Sequence, residues 1–244
     1  MLERALEQLF GEAVKVTGAG RTDSGVHASG QVVSLATAAH FPFDRLLPAL
    51  RAVLPADLAV RHAQVVANGF SARHDALERT YVYTILNSSE RSALLNRYAH
   101  HVARPLDAAA MRAAAEHLLG ELDFRSFAAV PADQPSVRSL RRLAIEPRGE
   151  LIRIEAVADG FLHHMVRTIV GTLVECGIGR RDPAQIPSVV AARDRAAAGA
   201  TAPACGLYLA GVRYPDGYDS FAEPPVLGSR AVRRAPLTED GPFP

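Results

Sequence analysis

Leu2, Ala5, Leu6, Leu9 and Phe10 recur at helical spacing, so a helix opens the chain. Residues 14–17 then read as a short strand, followed by a glycine-punctuated loop over 18–30 and a second strand over 31–35. Phe43, Leu46, Leu47 and Leu50 place a helix over 43–53. Residues 59–66 and 79–86 read as strands; in the second, Tyr81, Tyr83 and Ile85 share one face by the two-residue period of a strand. The pattern then predicts a helix over 107–119, strands over 139–146 and 150–158 around the turn Pro147-Arg148-Gly149, helices over 163–176 and 183–196, and a strand over 206–213. From Asp216 onward proline, glycine and charge predict an irregular tail.

Strands and helices mix without strict alternation. This predicts an α+β fold, a mostly antiparallel sheet with helices packed on one face. A coarse twofold pattern divides the chain near 100–106, where Pro105 precedes a new helix, into an N-terminal half (1–104, with the loop), a C-terminal half (105–220) and the tail (221–244).

The 244 residues are 48% apolar and 22% charged, an ordinary globular balance that excludes wholesale disorder. No apolar run approaches the ~18 residues of a membrane-spanning helix. Glu3, Arg4 and Glu7 spoil the layout of a secretory signal. Cys176 and Cys205 are too few for a disulfide framework or a zinc site. The expectation is a cytoplasmic protein without structural metal. A net charge of +1 carries no global basic field. A local excess exists between Arg125 and Arg142, where Arg125, Arg138, Arg141 and Arg142 face one acid, Asp133. It is compatible with phosphate binding and equally with a solvated face.

The most informative segment is Gly18-Ala19-Gly20-Arg21-Thr22-Asp23-Ser24-Gly25-Val26-His27-Ala28. A dinucleotide-binding loop needs a third glycine where Asp23 stands and a helix next; a strand-like run follows instead. No Gly-Lys-Ser/Thr closes the loop as in a phosphate-binding loop, and Ser24 is not framed as a nucleophile elbow. An aspartate in such a loop can act as base, metal ligand or nucleophile at a sugar carbon. It can equally cap a turn, and the loop alone leaves these readings open.

In Phe161-Leu162-His163-His164-Met165-Val166-Arg167-Thr168-Ile169-Val170-Gly171, Arg167 sits among apolar residues. A buried arginine needs a partner, and Asp23 is available. The two histidines read as capping or packing residues. Adjacent positions on a helix point to different faces and no third ligand is evident, so no metal is expected there. Tyr81, in Arg79-Thr80-Tyr81, is either core or a platform for a base.

Together, Gly20-Arg21-Thr22-Asp23-Ser24-Gly25-Val26-His27-Ala28 resembles the catalytic-loop motif of the tRNA pseudouridine synthase A family, and the segment from Phe161 to Gly171 resembles its later motif. Arg79-x-Tyr81, Asp123-Phe124-x-Ser126-Phe127 and Gly206-Leu207-Tyr208-Leu209 fit in the family's order, and the resemblance covers roughly residues 1–220. It implies the pseudouridine synthase fold, with two ferredoxin-like halves sharing the central sheet and a cleft between them. It implies isomerisation of uridine to pseudouridine at positions 38, 39 and 40 of the tRNA anticodon stem-loop, by a homodimer without metal or cofactor. Asp23 would be the nucleophile, Arg167 its partner and Tyr81 the platform under the uracil. Arg21 would take the space of the flipped base, and His27, Phe127 and Leu207 would also contact substrate.

The chain departs from the family in two respects. Members usually begin with a strand carrying a Tyr-Asp-Gly-x-x-Phe-x-Gly-Trp-Gln type segment; this sequence starts inside the following helix and has no tryptophan. Such a strand would lie in the central sheet, so its apparent lack predicts an exposed edge. Ser24 stands where alanine is frequent. The alternative is a catalytically impaired RNA-binding relative with the same fold.

Overall fold

A computed structural model describes residues 1–129, 131, 133–215 and 218. The expected tail over 221–244 lies outside the described residues.

Helix α1 (Leu2–Phe10) buries Ala5 and Leu6 and ends at Gly11, whose φ of 71° and N–H to Glu7 O close the last turn. It packs against α2 (Phe43–Val53), and the two share with Val14 and Leu50 a small core of their own. Between them lie three two-residue strands, β1 (Thr17–Gly18), β2 (His27–Ala28) and β3 (Val33–Ser34). β1 and β3 pair antiparallel and form the two sides of the loop's neck. The strands expected over 14–17 and 31–35 therefore shrink to these pairs. Residues 59–66, expected as a strand, form none.

The large sheet runs β2-β9-β4-β8-β7-β6, with β5 also on β4. Its members are β4 (Glu78–Asn87), β5 (His100–Val102), β6 (Gly120–Asp123), β7 (Val137–Arg148), β8 (Leu151–Ala158) and β9 (Leu207–Arg213). The long pairings β4–β8, β4–β9 and β7–β8 are antiparallel; the short β2–β9 and β4–β5 pairings are parallel. The sheet is mostly antiparallel, as expected. β4 lies between strands from the far part of the chain, and side chains on both its faces are buried: Tyr81, Val82, Tyr83, Ile85 and Leu86. β8 keeps strict alternation, with Ile152, Ile154, Ala156 and Ala158 inward.

Three more helices complete the chain: α3 (Ala108–Glu116), α4 (Met165–Gly177) and α5 (Ile186–Ala192). Asp107 caps α3 by accepting from the N–H groups of Ala109 and Ala110. α3 packs on β7 and α4 over the main core, which Phe124, Phe127, Leu140, Ile154, Met165 and Ile169 fill. The single helix expected over 183–196 is broken. Arg193 is left-handed (φ 50°), and Asp194 then caps a separate helical turn over Arg195–Ala197. The turn expected at 147–149 falls at Gly149 and Glu150, where Gly149 has φ 61°.

The arginines between 125 and 142 are largely occupied. Arg141 pairs with Glu78, Arg142 donates to Glu155 at 2.7 Å, and Arg125 donates to the carbonyls of Pro131 and Gln134. None of the described helices is long and apolar enough to cross a membrane.

Candidate active site

The loop between β1 and β3 is fixed at both ends. At its start, Ala19 N–H donates to Val32 O at 2.8 Å, and Gln31 Nε2 donates to Gly20 O at 2.7 Å. At its far side, the N–H groups of Ser29 and Gly30 both donate to Leu209 O at 3.0 Å. Gly30 is required here: a Cβ at this position would lie 2.1 Å from Ala210 O. At the tip, Val26 N–H closes a turn onto Asp23 O at 3.0 Å. The turn-capping alternative thus has some truth, but it uses the backbone of Asp23 and leaves the carboxylate to point elsewhere.

That carboxylate meets the start of α4. Arg167 Nη1 donates to Asp23 Oδ2 at 2.7 Å, and Arg167 Nε donates to Ala202 O at 2.8 Å. Two anchors therefore hold the guanidinium, one on a carboxylate and one on the backbone. The pair is only partly exposed, 16% for Arg167 and 25% for Asp23. α4 sits close to the 199–202 segment because Gly171 carries no side chain; a Cβ would come within 1.7 Å of Ala200 O.

The histidines do not behave as helix neighbours. α4 starts at Met165, and His164, just before it, is left-handed with φ 64°. Their rings stack at 3.7 Å. His163 Nε2 lies 3.4 Å from Asp23 Oδ1 and His164 Nε2 lies 3.3 Å from Oδ2. The expectation that they diverge is corrected, because it assumed a helix already under way at residue 163. Burial, and then the neighbouring His163, holds the His164 imidazole below its ordinary pKa.

Tyr81 forms the floor. It follows a bulge in the β4–β9 pairing at Thr80/Tyr81. Its ring is buried and meets Phe161 edge-on at 5.1 Å. Burial, and then the charge of Asp23, raises its phenol to about 12, so it is neutral at ordinary pH. Beside it, Arg79 donates to Ala19 O from Nε (3.4 Å) and Nη2 (3.2 Å), to Asp159 O from Nη1 (2.7 Å) and to Arg73 O from Nη2 (2.6 Å). Arg79 thus ties the loop to the end of β8. The sequence places Arg79 in the Arg79-x-Tyr81 motif but assigns it no task, because its partners are backbone carbonyls.

The remaining expected site residues scatter. Arg21 is exposed on the loop. His27 stacks on Tyr208 at 4.8 Å and lies 5.2 Å from Tyr98, with its Nε2 donating to Arg97 O at 2.7 Å. Phe127 is fully buried against Phe124, and Leu207 is buried opposite Tyr83. The structure brings together Asp23, Arg167, Tyr81 and the two histidines.

A loop carboxylate, the guanidinium that holds it and a buried aromatic ring meet at one place. A model of the tRNA pseudouridine synthase family matches residues 1–75 and 114–215. Among curated relatives, tRNA pseudouridine synthase A of Moorella thermoacetica is 46% identical over 211 residues, 86% of each chain. That of Methylobacterium nodulans is also 46% identical, covering 88% of this chain and 85% of the relative. The Escherichia coli O1:K1 protein is 42% identical over 226 residues, 92% of this chain and 83% of its own. The chain belongs to the tRNA pseudouridine synthase family.

Proposed function

We propose that this protein converts uridine to pseudouridine at positions 38, 39 and 40 of the tRNA anticodon stem-loop, with Asp23 as the nucleophile. The observation that carries the reading is the 2.7 Å pair between Asp23 and Arg167, whose carboxylate is near enough to Tyr81 to act on its phenol. The reaction breaks the N1–C1′ bond, turns the uracil and joins C5 to C1′, with the C5 proton leaving to solvent. Nothing is oxidised or hydrolysed, so the chemistry calls for no redox or group-carrying cofactor.

Each residue then has a task. Asp23 supplies the reacting oxygen, and Arg167 orients it. Tyr81, braced by Phe161, stacks on the flipped base and holds it while it is detached. Stacking contributes about 1–3 kcal/mol per base, which offsets much of the few kcal/mol that flipping costs. Arg21, exposed on the same loop, fills the space the base vacates. Phe127 and Leu207, being buried, act on substrate only through the residues they pack beneath. His27 lines the loop's far side with Tyr208. A second copy of the chain completes the RNA-binding surface.

The test is tritium release from tRNA labelled at uracil C5, wild type against Asp23→Asn. Release is expected to vanish in the variant while salt-sensitive tRNA binding persists. Release that continues in Asp23→Asn would rule out the nucleophile. Binding without release in the wild type would instead support an impaired RNA-binding relative.

A further inference from the structure

We propose that Asp23, His163 and His164 form a binding site for a divalent transition metal ion, with Zn2+ the best match, and that an ion bound there disables the site. The binding stands on geometry alone. The disabling step rests on the reading of Asp23 as nucleophile.

One ligand atom from each of the three side chains lies within 4.8 Å of the other two. Two imidazole nitrogens and a carboxylate oxygen are a donor set that zinc accepts, leaving a fourth position for water. Tetrahedral zinc with bonds of about 2.0–2.1 Å keeps its ligand atoms about 3.3–3.4 Å apart. The two carboxylate oxygens divide between the rings: Oδ1 stands 3.4 Å from His163 Nε2 and Oδ2 stands 3.3 Å from His164 Nε2. Seating an ion therefore takes a turn of the carboxylate and a parting of the two stacked rings, which the exposure of His163 permits.

Three further features favour it. The left-handed backbone at His164 turns two consecutive imidazoles to the same side, where their rings stack at 3.7 Å. Arg167 holds Asp23 Oδ2 from outside, the kind of hydrogen bond that orients a ligating carboxylate. His163 is more than half exposed, so an ion has an entrance. Nitrogen donors match zinc, cobalt or nickel and disfavour Mg2+, which prefers oxygen ligands and retains its waters. The Mg2+ that accompanies tRNA would therefore leave the site alone.

An ion on Asp23 occupies the lone pairs that would attack the substrate. Zinc is expected to suppress turnover reversibly, and a chelator to restore it.

The experiment titrates the full chain, free of RNA, with Co2+ as a spectroscopic probe and with Zn2+ against a chromophoric chelator. One ion per chain is expected, with the intense visible absorption of low-coordinate Co2+ and no thiolate charge-transfer band. His163→Gln and Asp23→Asn should each weaken binding by about tenfold or more, while Cys205→Ser leaves it unchanged. His163 is exposed, so its substitution leaves folding intact, which a circular dichroism melt verifies. No binding, or binding indifferent to both substitutions, overturns the site whatever Asp23 does in catalysis. In a parallel tritium-release assay, zinc should inhibit wild type and leave His163→Gln with most of its own metal-free rate. Zinc bound at these residues with wild-type release unaffected overturns the disabling step alone.

Discussion

Arg79 and Ala19 are sixty residues apart, yet two nitrogens of the Arg79 guanidinium converge on the single carbonyl oxygen of Ala19. The same guanidinium also serves the carbonyls of Ala76, Arg73 and Asp159. The loop that presents Asp23 is thereby tied to strand β4 and to the end of β8.

Replacing Arg79 with methionine keeps bulk and removes every donor. The part-buried bonds to Ala19 O and Ala76 O would be lost, while the exposed carbonyls of Arg73 and Asp159 would turn to water. We expect a destabilisation on the order of 1–3 kcal/mol in urea unfolding. We also expect a fall in kcat/KM beyond what the unfolded fraction accounts for. Full activity in the folded fraction would show that the tether is dispensable.

Arg167→Met removes the partner of Asp23 and the donor to Ala202 O. Tritium release should fall by about two orders of magnitude or more, in line with losing a positioned charge at a reacting centre. Arg167→Lys should recover only part, because an ammonium cannot hold both anchors with the fixed fork of a guanidinium. Equal rates for lysine and arginine would reduce Arg167 to a counter-charge.

Gly30→Ala tests how the loop seats on β9. The added methyl would meet Ala210 O at 2.1 Å, so strand or loop must move. A loss of about 1–3 kcal/mol is expected, as for other overpacked sites. Turnover should fall with it, since Asp23 shares the displaced loop. An unchanged melting temperature would contradict this packing.

Tyr81, Tyr208 and Tyr214 all have phenols raised by burial to about 12, and burial pushes Tyr83 in the same direction. The unfolded chain ionises these groups near 10, so it binds fewer protons than the folded chain above that pH. Their contribution to stability is present below pH 10 and is lost as pH rises toward about 12. At pH 11 the folded protein should show tyrosinate absorption well short of its six tyrosines, with the remainder appearing on urea unfolding. Tyr81→Phe should shrink that step. A folded protein that ionises fully at pH 10 would contradict the burial of these rings.

Phe127 lies wholly inside the core. Phe127→Ala should cost about 3–5 kcal/mol, and Phe127→Leu markedly less. For Phe127→Leu, KM for tRNA should hold steady while the melting temperature drops. A raised KM without lost stability would return this residue to the substrate.

The long elements were legible because their periodicity spans several turns or pleats. Leu2 through Phe10 announce α1, and the alternation through Ile152, Ile154 and Ala156 announces β8. The two-residue strands were not, since residues such as His27 and Ala28 gain strand geometry only from β9, nearly two hundred positions away. The Asp23–Arg167 pair could be inferred because a charge amid apolar neighbours demands an opposite one. The convergence of His163 and His164 could not, because it depends on one backbone angle at His164 that no periodicity records. Arg79 escaped because carbonyl partners leave no mark in a sequence.

The span from Ala19 to Gly30 is pinned at one end by Arg79 and Val32 and at the other by Leu209. Its residue count is therefore a measured distance as much as a choice of amino acids. One extra residue adds about 3.3–3.6 Å of contour, more than the entire 2.7 Å separating Asp23 from Arg167. Insertions and deletions in this bridge should be tolerated far less than side-chain changes along it.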